Sequence, residues 1–207
     1  PTMRNIEIAY SLSRGALFLV SSGGPWAVDG LYVHDAVNNG VNSGSQFAVY
    51  ATCATGSCRF SDVTIENNAS SNATRDVKGF FVQAQGDFSL ERATIDNNGS
   101  QGLIMSGETL EMSDVTISNH SETGLYVAGG LPSSVFNNIV LFDNVQDALV
   151  VPQLVENLLS GAAMISNANL FVLEGSIAHV TTWPTYNYLL LGLIELSDGA
   201  DLTLEAG

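Results

Sequence analysis

Gly79-Phe80-Phe81-Val82, Gly102-Leu103-Ile104-Met105, Gly124-Leu125-Tyr126-Val127 and Asp147-Ala148-Leu149-Val150 follow one another at steps of 23, 22 and 23 residues. A second segment recurs in the same phase. It reads Asp62-Val63-Thr64-Ile65-Glu66-Asn67-Asn68, then Arg92-Ala93-Thr94-Ile95-Asp96-Asn97-Asn98, then Asp114-Val115-Thr116-Ile117-Ser118-Asn119-His120, then Asn138-Ile139-Val140-Leu141-Phe142-Asp143-Asn144. A fixed period carrying alternating apolar residues is the mark of a solenoid. Within one period, Gly102 to Thr123, three short apolar runs stand at Gly102–Met105, Thr109–Met112 and Val115–Ile117, with turns or bends between them. Strands this short have no partner inside their own coil. Each pairs in parallel with its equivalent one coil along, about 4.8 Å away. The expected fold is therefore all-β, a triangular parallel β-helix with about 22 residues and three short strands per regular coil. The leucine-rich alternative lacks its Leu-x-x-Leu-x-Leu-x-x-Asn signature.

The bulk properties agree. The chain has 207 residues, 45% of them apolar, 13% charged and 8% aromatic. That is a core-forming composition, with 20 glycines and many Asn, Ser and Thr for turns. Six Lys and Arg against 21 Asp and Glu give a net charge of −15. Such a field repels nucleic acid and anionic membrane surfaces. The longest apolar runs, Gly15 to Val20 and Leu189 to Ile194, are too short to span a bilayer. Both chain ends already read as repeat, so the chain is expected to be one β-helix block of a longer protein, with regular coils over 16–150 and a less regular stretch over 151–207. Uncapped solenoid ends expose strand edges, and end-to-end self-association is the expected consequence.

Upstream coils are longer. Ala16–Val20, Phe47–Ala51 and Phe80–Gln83 read as successive first strands, with polar insertions at Val37–Gln46 and Ala69–Lys78 on one side of the solenoid. Insertions of this kind often carry function. Cys53 and Cys58 flank four residues at a turn. A small disulfide loop, and with it an oxidising compartment, is one reading; two free buried thiols is the other. Downstream, Val155–Leu159 fits a strand or a short helix, and Thr181–Tyr188 reads as a long aromatic loop.

Alternation assigns the faces. Phe80, Val82, Leu103, Met105, Leu125, Val127, Leu149 and Val151 are expected to point inward. Phe81, Ile104, Tyr126 and Val150 form the outward column of the first sheet. That column is apolar. Either another segment covers it, the Trp183 loop being the nearest candidate, or it is a platform on which Phe81, Ile104 and Tyr126 meet sugar rings. On the third strand Thr64, Thr94 and Thr116 face out, a common use of β-branched residues. Beside them stand Glu66 and Asp96, one coil apart. A Ca²⁺ ion bridging the two is one reading, and two solvated carboxylates is the other. Asn67, Asn97 and Asn119 recur at the turn that follows, where Asn tolerates left-handed dihedrals and bonds stacked neighbours; they are read as a structural ladder. Asn68, Asn72, Asn98 and Asn119 also fit the glycosylation sequon, as Asn-rich turns do by chance.

The coils Leu90–Met105 and Thr109–Val127 resemble those of right-handed parallel β-helix proteins, the pectin-lyase-like superfamily, over about residues 16–150. The resemblance implies a secreted or cell-surface bacterial protein, of a superfamily that includes polysaccharide lyases and glycosidases as well as adhesins and tailspikes. Its enzymes place paired carboxylates or a Lys/Arg base on the outer first sheet. Here those positions hold Phe81, Ile104 and Tyr126. A glycosidase needs two carboxyls across the scissile bond and a lyase needs a base. The six basic residues form no compact set, and His34, His120 and His179 lack motif neighbours. No catalytic residue is assigned. The expected function is a non-catalytic extracellular or cell-surface β-helix segment, acting as rigid spacer, adhesive or glycan-contacting domain, with a polysaccharide or another cell-surface protein as partner. A polysaccharide lyase or glycoside hydrolase with its site at the inserted loops is the alternative.

Overall fold

The computed structural model describes residues 2–9, 17–21, 25–38, 46–54, 56–70, 77–166 and 169–206. The chain runs through β1 (Thr2–Ala9), β2 (Leu17–Ser21), β3 (Trp26–His34), β4 (Val37–Asn38), β5 (Gln46–Cys53), β6 (Cys58–Glu66), β7 (Ala69–Ser70), β8 (Val77–Ala84) and β9 (Phe88–Asp96). It continues through β10 (Leu103–Ser106), β11 (Leu110–Ser118), β12 (Thr123–Val127), β13 (Val135–Phe142), β14 (Gln146–Val150), helix α1 (Val155–Gly161) and β15 (Ala162–Ile165). Two last coils follow: β16 (Asn169–Val172), β17 (Gly175–Ile177), β18 (Val180–Trp183), then β19 (Asn187–Leu190), β20 (Ile194–Leu196), β21 (Asp201–Leu204).

Successive strands alternate between two long sheets. One has seven strands in the order β1-β3-β6-β9-β11-β13-β15, the other eight in the order β19-β16-β14-β12-β10-β8-β5-β2. Every pairing is parallel, with Leu103 opposite Leu125 and Val115 opposite Ile139 in the regular coils. The protein is a parallel β-helix. The second and third runs of each regular coil form one strand, bent in the middle. The bend column is Asn5, Gly30, Asp62, Arg92, Asp114 and Asn138, all with φ between 51° and 75°. A left-handed residue there turns the chain and resets the inward-outward alternation, and Asn and Asp reach that region at low cost. Arg92 is the unusual member. Its guanidinium clasps Asp62 one coil back through Nε and an Nη at 2.7 and 2.8 Å. Among the described residues, separate second and third strands stand in the last two coils, where β20 stacks on β17 and β21 on β18.

Inward columns from both sheets meet in one core. Val63, Ile65, Ala93, Ile95, Val115, Ile117, Ile139 and Leu141 are buried, and so are Phe80, Val82, Leu103, Met105, Leu125 and Val127. Each such aliphatic contributes roughly 1.5–3 kcal/mol on burial. Trp26, Phe60, Phe80 and Phe88 interlock edge to face in the N-terminal coils, with Phe60 and Phe80 centroids 4.8 Å apart.

Several expectations change. In the fourth coil Ala148 and Val150 point inward while Leu149 pairs with Tyr126 on the outer face. The period aligns these residues this way; carrying alternation through Val151 reversed them, because the strand ends at Val150 and the chain turns. Val155–Gly161 is a helix that buries Val155 and Leu158. The stretch 181–188 is no loop: Thr181 to Trp183 belong to β18, and Trp183 is buried in the core. At the chain start, which reads as repeat in the sequence, β1 stacks on β3 from Thr2 to Ala9. Residues 39–45 and 71–76, the centres of the two inserted loops, lie outside the described residues, as does Arg75.

Candidate functional site

The outer face of the eight-stranded sheet carries one column through seven rungs: Tyr50, Phe81, Ile104, Tyr126, Leu149, Phe171 and Leu189. Every rung is apolar or aromatic. Ile104 is buried between its neighbours, and Phe81 and Tyr126 are half-buried. Tyr50 and Phe81 stack face to face at 5.0 Å with 6° between planes, and Phe47 leans on both at 5.5 and 4.9 Å. Lys78 sets its ammonium 5.8 Å from the Phe47 ring, within cation–π range. Phe81 thus turns one ring face onto Tyr50. Tyr126, flanked by Ile104 and Leu149, has no aromatic ring stacked on it among the described residues. Trp183, expected as a cover for this face, sits inside the solenoid instead.

A second cluster lies at the N-terminal end of the seven-stranded sheet. His34 presents Nδ1 to Asp35 at 2.9 Å and Nε2 to Glu7 at 3.3 Å. Tyr32 stacks on the imidazole at 4.1 Å, and its hydroxyl donates to Glu66 at 2.7 Å. Two carboxylates facing one ring favour the imidazolium. The Asp35 bond, then the Glu7 bond, lift the His34 pKa above its ordinary value against the opposing effect of burial. The Tyr32 pKa is pushed up to about 12, chiefly by its bond to Glu66. The cluster is not legible in the sequence, because the first coils are irregular and their period does not give the register of β1 on β3. Placing Glu7 opposite Tyr32 and Ala9 opposite His34 would have brought the five residues together.

The polar turns form two parallel ladders. On the outer one, Asn67, Asn97 and Asn119 are left-handed at φ 55°, 50° and 60°, in line with Asp35 and Asp143. Asn97 donates to Asn67 at 2.9 Å, and Asn119 donates to Asp96 at 2.7 Å. The inner ladder is Asn68, Asn98, His120 and Asn144, all buried. Asn68 donates to Asn98 Oδ1 at 2.6 Å, Asn98 to the Ile65 carbonyl at 2.7 Å, and Asn144 to the Ile117 carbonyl at 3.1 Å. His120 occupies one rung. Its Nδ1 lies 2.9 Å from Asn144 Oδ1, while its Nε2 is buried without a hydrogen-bond partner. An oxygen acceptor at Nδ1 fixes the proton there and leaves Nε2 as a bare lone pair. Burial pushes the His120 pKa below its ordinary value.

Glu66 and Asp96 stand side by side in register. Their carboxylates have different donors: Glu66 accepts from Tyr32, while Asp96 accepts from Ser118 at 2.6 Å and from Asn119. Cys53 and Cys58 are disulfide-bonded with Cα atoms 6.3 Å apart, closing the turn between β5 and β6. No helix among the described residues is long and apolar enough to cross a membrane.

A parallel solenoid of this build, with bent coil strands and polar ladders at its turns, is a β-helix protein of the pectin-lyase-like type. Residues 12–170 match the family described as periplasmic copper-binding protein (NosD), and the chain belongs to that family. No curated protein and no solved structure matches it. The family is periplasmic, a cell-envelope location in line with the extracellular or cell-surface placement expected from sequence. The family's copper finds no fitting ligand set here: among the described residues no group of three or more His, Cys, Asp or Glu could hold a metal ion.

Proposed function

We propose that this chain is a non-catalytic β-helix segment of the cell envelope, working as a rigid spacer whose eight-stranded sheet is its contact face. The observation that supports the reading is the outer column Tyr50, Phe81, Ile104, Tyr126, Leu149 and Phe171. Where enzymes of this fold type would carry carboxylates or a base, these rungs carry rings and aliphatic chains. An apolar strip of this length on an outer sheet is a contact surface by the ordinary behaviour of such patches. Tyr126 and Phe171 favour a polysaccharide as the partner, because aromatic side chains offer an apolar body at the surface, and the Tyr hydroxyl adds a polar tip that bonds sugar hydroxyls. Another cell-surface protein is the other partner the strip would take.

The test is incubation of the purified chain with acidic and neutral polysaccharides, with and without Ca²⁺, reading both product release and co-sedimentation. The reading expects no turnover, with retention on a polysaccharide that Tyr126→Ala and Phe171→Ala weaken together. Release of oligosaccharides, lost on substitution within the loops Val37–Gln46 or Ala69–Lys78, would establish the lyase or glycosidase alternative.

A further inference from the structure

We infer that the oxidised form of this chain is not a copper carrier, in contrast to its family's description. The argument rests on where the donors stand. The sequence holds three His, two Cys and four Met, and all nine lie among the described residues. Copper sites are built from thiolate, thioether and imidazole donors, or for Cu(II) from tetragonal nitrogen and oxygen sets, converging on one ion, and among the described residues no group of three or more His, Cys, Asp or Glu does so. The two sulfurs nearest to forming such a pair, Cys53 and Cys58, are bonded to each other, and a disulfide sulfur offers no thiolate. The histidines are scattered along the axis. His34 ends β3 and His120 follows β11, three ladder steps away and so about 14 Å at the usual strand spacing. His179 lies between β17 and β18, beyond the last strand of the seven-stranded sheet. The imidazoles also offer no shared opening: His179 stands apart with its Nδ1 buried and without a hydrogen-bond partner. His34 has carboxylates on both nitrogens, and His120 is sealed in the core with the site of a Cβ on Gly102 only 2.9 Å from its ring. Met105 and Met112 share a coil but are fully buried in the apolar core, while Met3 and Met164 are exposed at opposite ends of the seven-stranded sheet. Nowhere do two free soft donors meet at an accessible point.

The family description then attaches to the scaffold, not to a metal centre in this chain. This inference is independent of the contact-face reading, since a copper site and an apolar strip would coexist without conflict. The experiment is a titration of the oxidised 207-residue chain with Cu(II), and anaerobically with Cu(I) against a chromogenic chelator, followed by desalting, copper counting and a thermal scan. Binding to the native state alone would raise the thermal midpoint. The expected result is no stoichiometric copper retained and no shift in midpoint with either ion. One copper retained per chain with a raised midpoint would overturn the inference, and its loss in His34→Ala or His120→Asn would locate the site. The same titration on Cys53→Ser/Cys58→Ser, which removes both sulfurs, is expected to give the same blank. Copper binding by that variant would likewise refute the account of the donors.

Discussion

The inner Asn ladder is the residue-level feature on which the polar turns depend. Asn98 accepts from the Asn68 amide and backbone and donates to the Ile65 carbonyl, all in the interior. Asn98→Ala leaves those groups buried and unpaired, a penalty of about 1–3 kcal/mol that urea unfolding would read. Asn97→Ala, on the exposed outer ladder, loses chiefly tolerance of the left-handed backbone and should cost less, about 1 kcal/mol. The two histidines respond to pH with opposite sign. His120 has a folded pKa below its ordinary 6.5, so its neutral form contributes full stability above 6.5, and that stability is lost as pH falls toward the folded value. His120→Asn, which restores the amide of the neighbouring rungs, is expected to abolish that acid-side loss in the urea midpoint. His34 has a folded pKa above 6.5, so its contribution is present below 6.5 and fades as pH rises through the folded value. The protection factors of the β1 amides, their exchange slowed relative to the intrinsic rate at each pH, should fall as pH rises past this value, and His34→Ala should remove that fall. The outer Asn positions were legible because Asn at a recurring turn has a local cause. The His34 cluster was not, because its members come from 7 to 66 in sequence and meet only through the stacking register.

At the scale of elements, the repeat in residues 62–150 was legible in detail because each coil places the same residue types at the same phase, and alternation within each run gives the inward columns up to Val127. The bend that merges two runs into one strand was less visible. It depends on a left-handed residue, and Arg92 fills that position as well as Asp62 and Asp114 do. Leu149 was misassigned because alternation was carried past a strand end. Thr181–Tyr188 reads in sequence as an aromatic loop, whereas burial of the Trp183 indole decides its position. The elements differ in stability. In the last coil Leu190, Leu196 and Leu204 continue the columns of Val172, Ile177 and Trp183, yet are 54%, 53% and 62% exposed where their column partners are 0%, 0% and 2%. Hydrogen exchange in this chain should therefore be fastest in β19–β21 and slowest in β9 and β11. Reduction of Cys53–Cys58 releases a short loop, for which loop-closure entropy gives roughly 2 kcal/mol. The thermal midpoint should fall on adding a dithiol, and should not fall in Cys53→Ser/Cys58→Ser.

For the whole molecule, the net charge of −15 and the cell-envelope family fit the proposed spacer with its apolar strip. The class was readable from the period, and the apolar column proposed as the contact face was readable from its residue types. What unites these features is that every rung satisfies itself through the rung before it, so the coils should behave as interchangeable units. The measurement that tests this most directly is removal of one whole coil, Gly102–Thr123, joining Gln101 to Gly124 and setting Asn98 beside Asn144, compared with removal of Gly102–Met112 alone. The account predicts that the whole-coil deletion keeps a β-rich spectrum and a single cooperative unfolding transition, while the part-coil deletion, which throws every later rung out of phase, loses both. Loss of cooperative folding in the whole-coil deletion, or its retention in the part-coil deletion, would contradict the stacked-coil account.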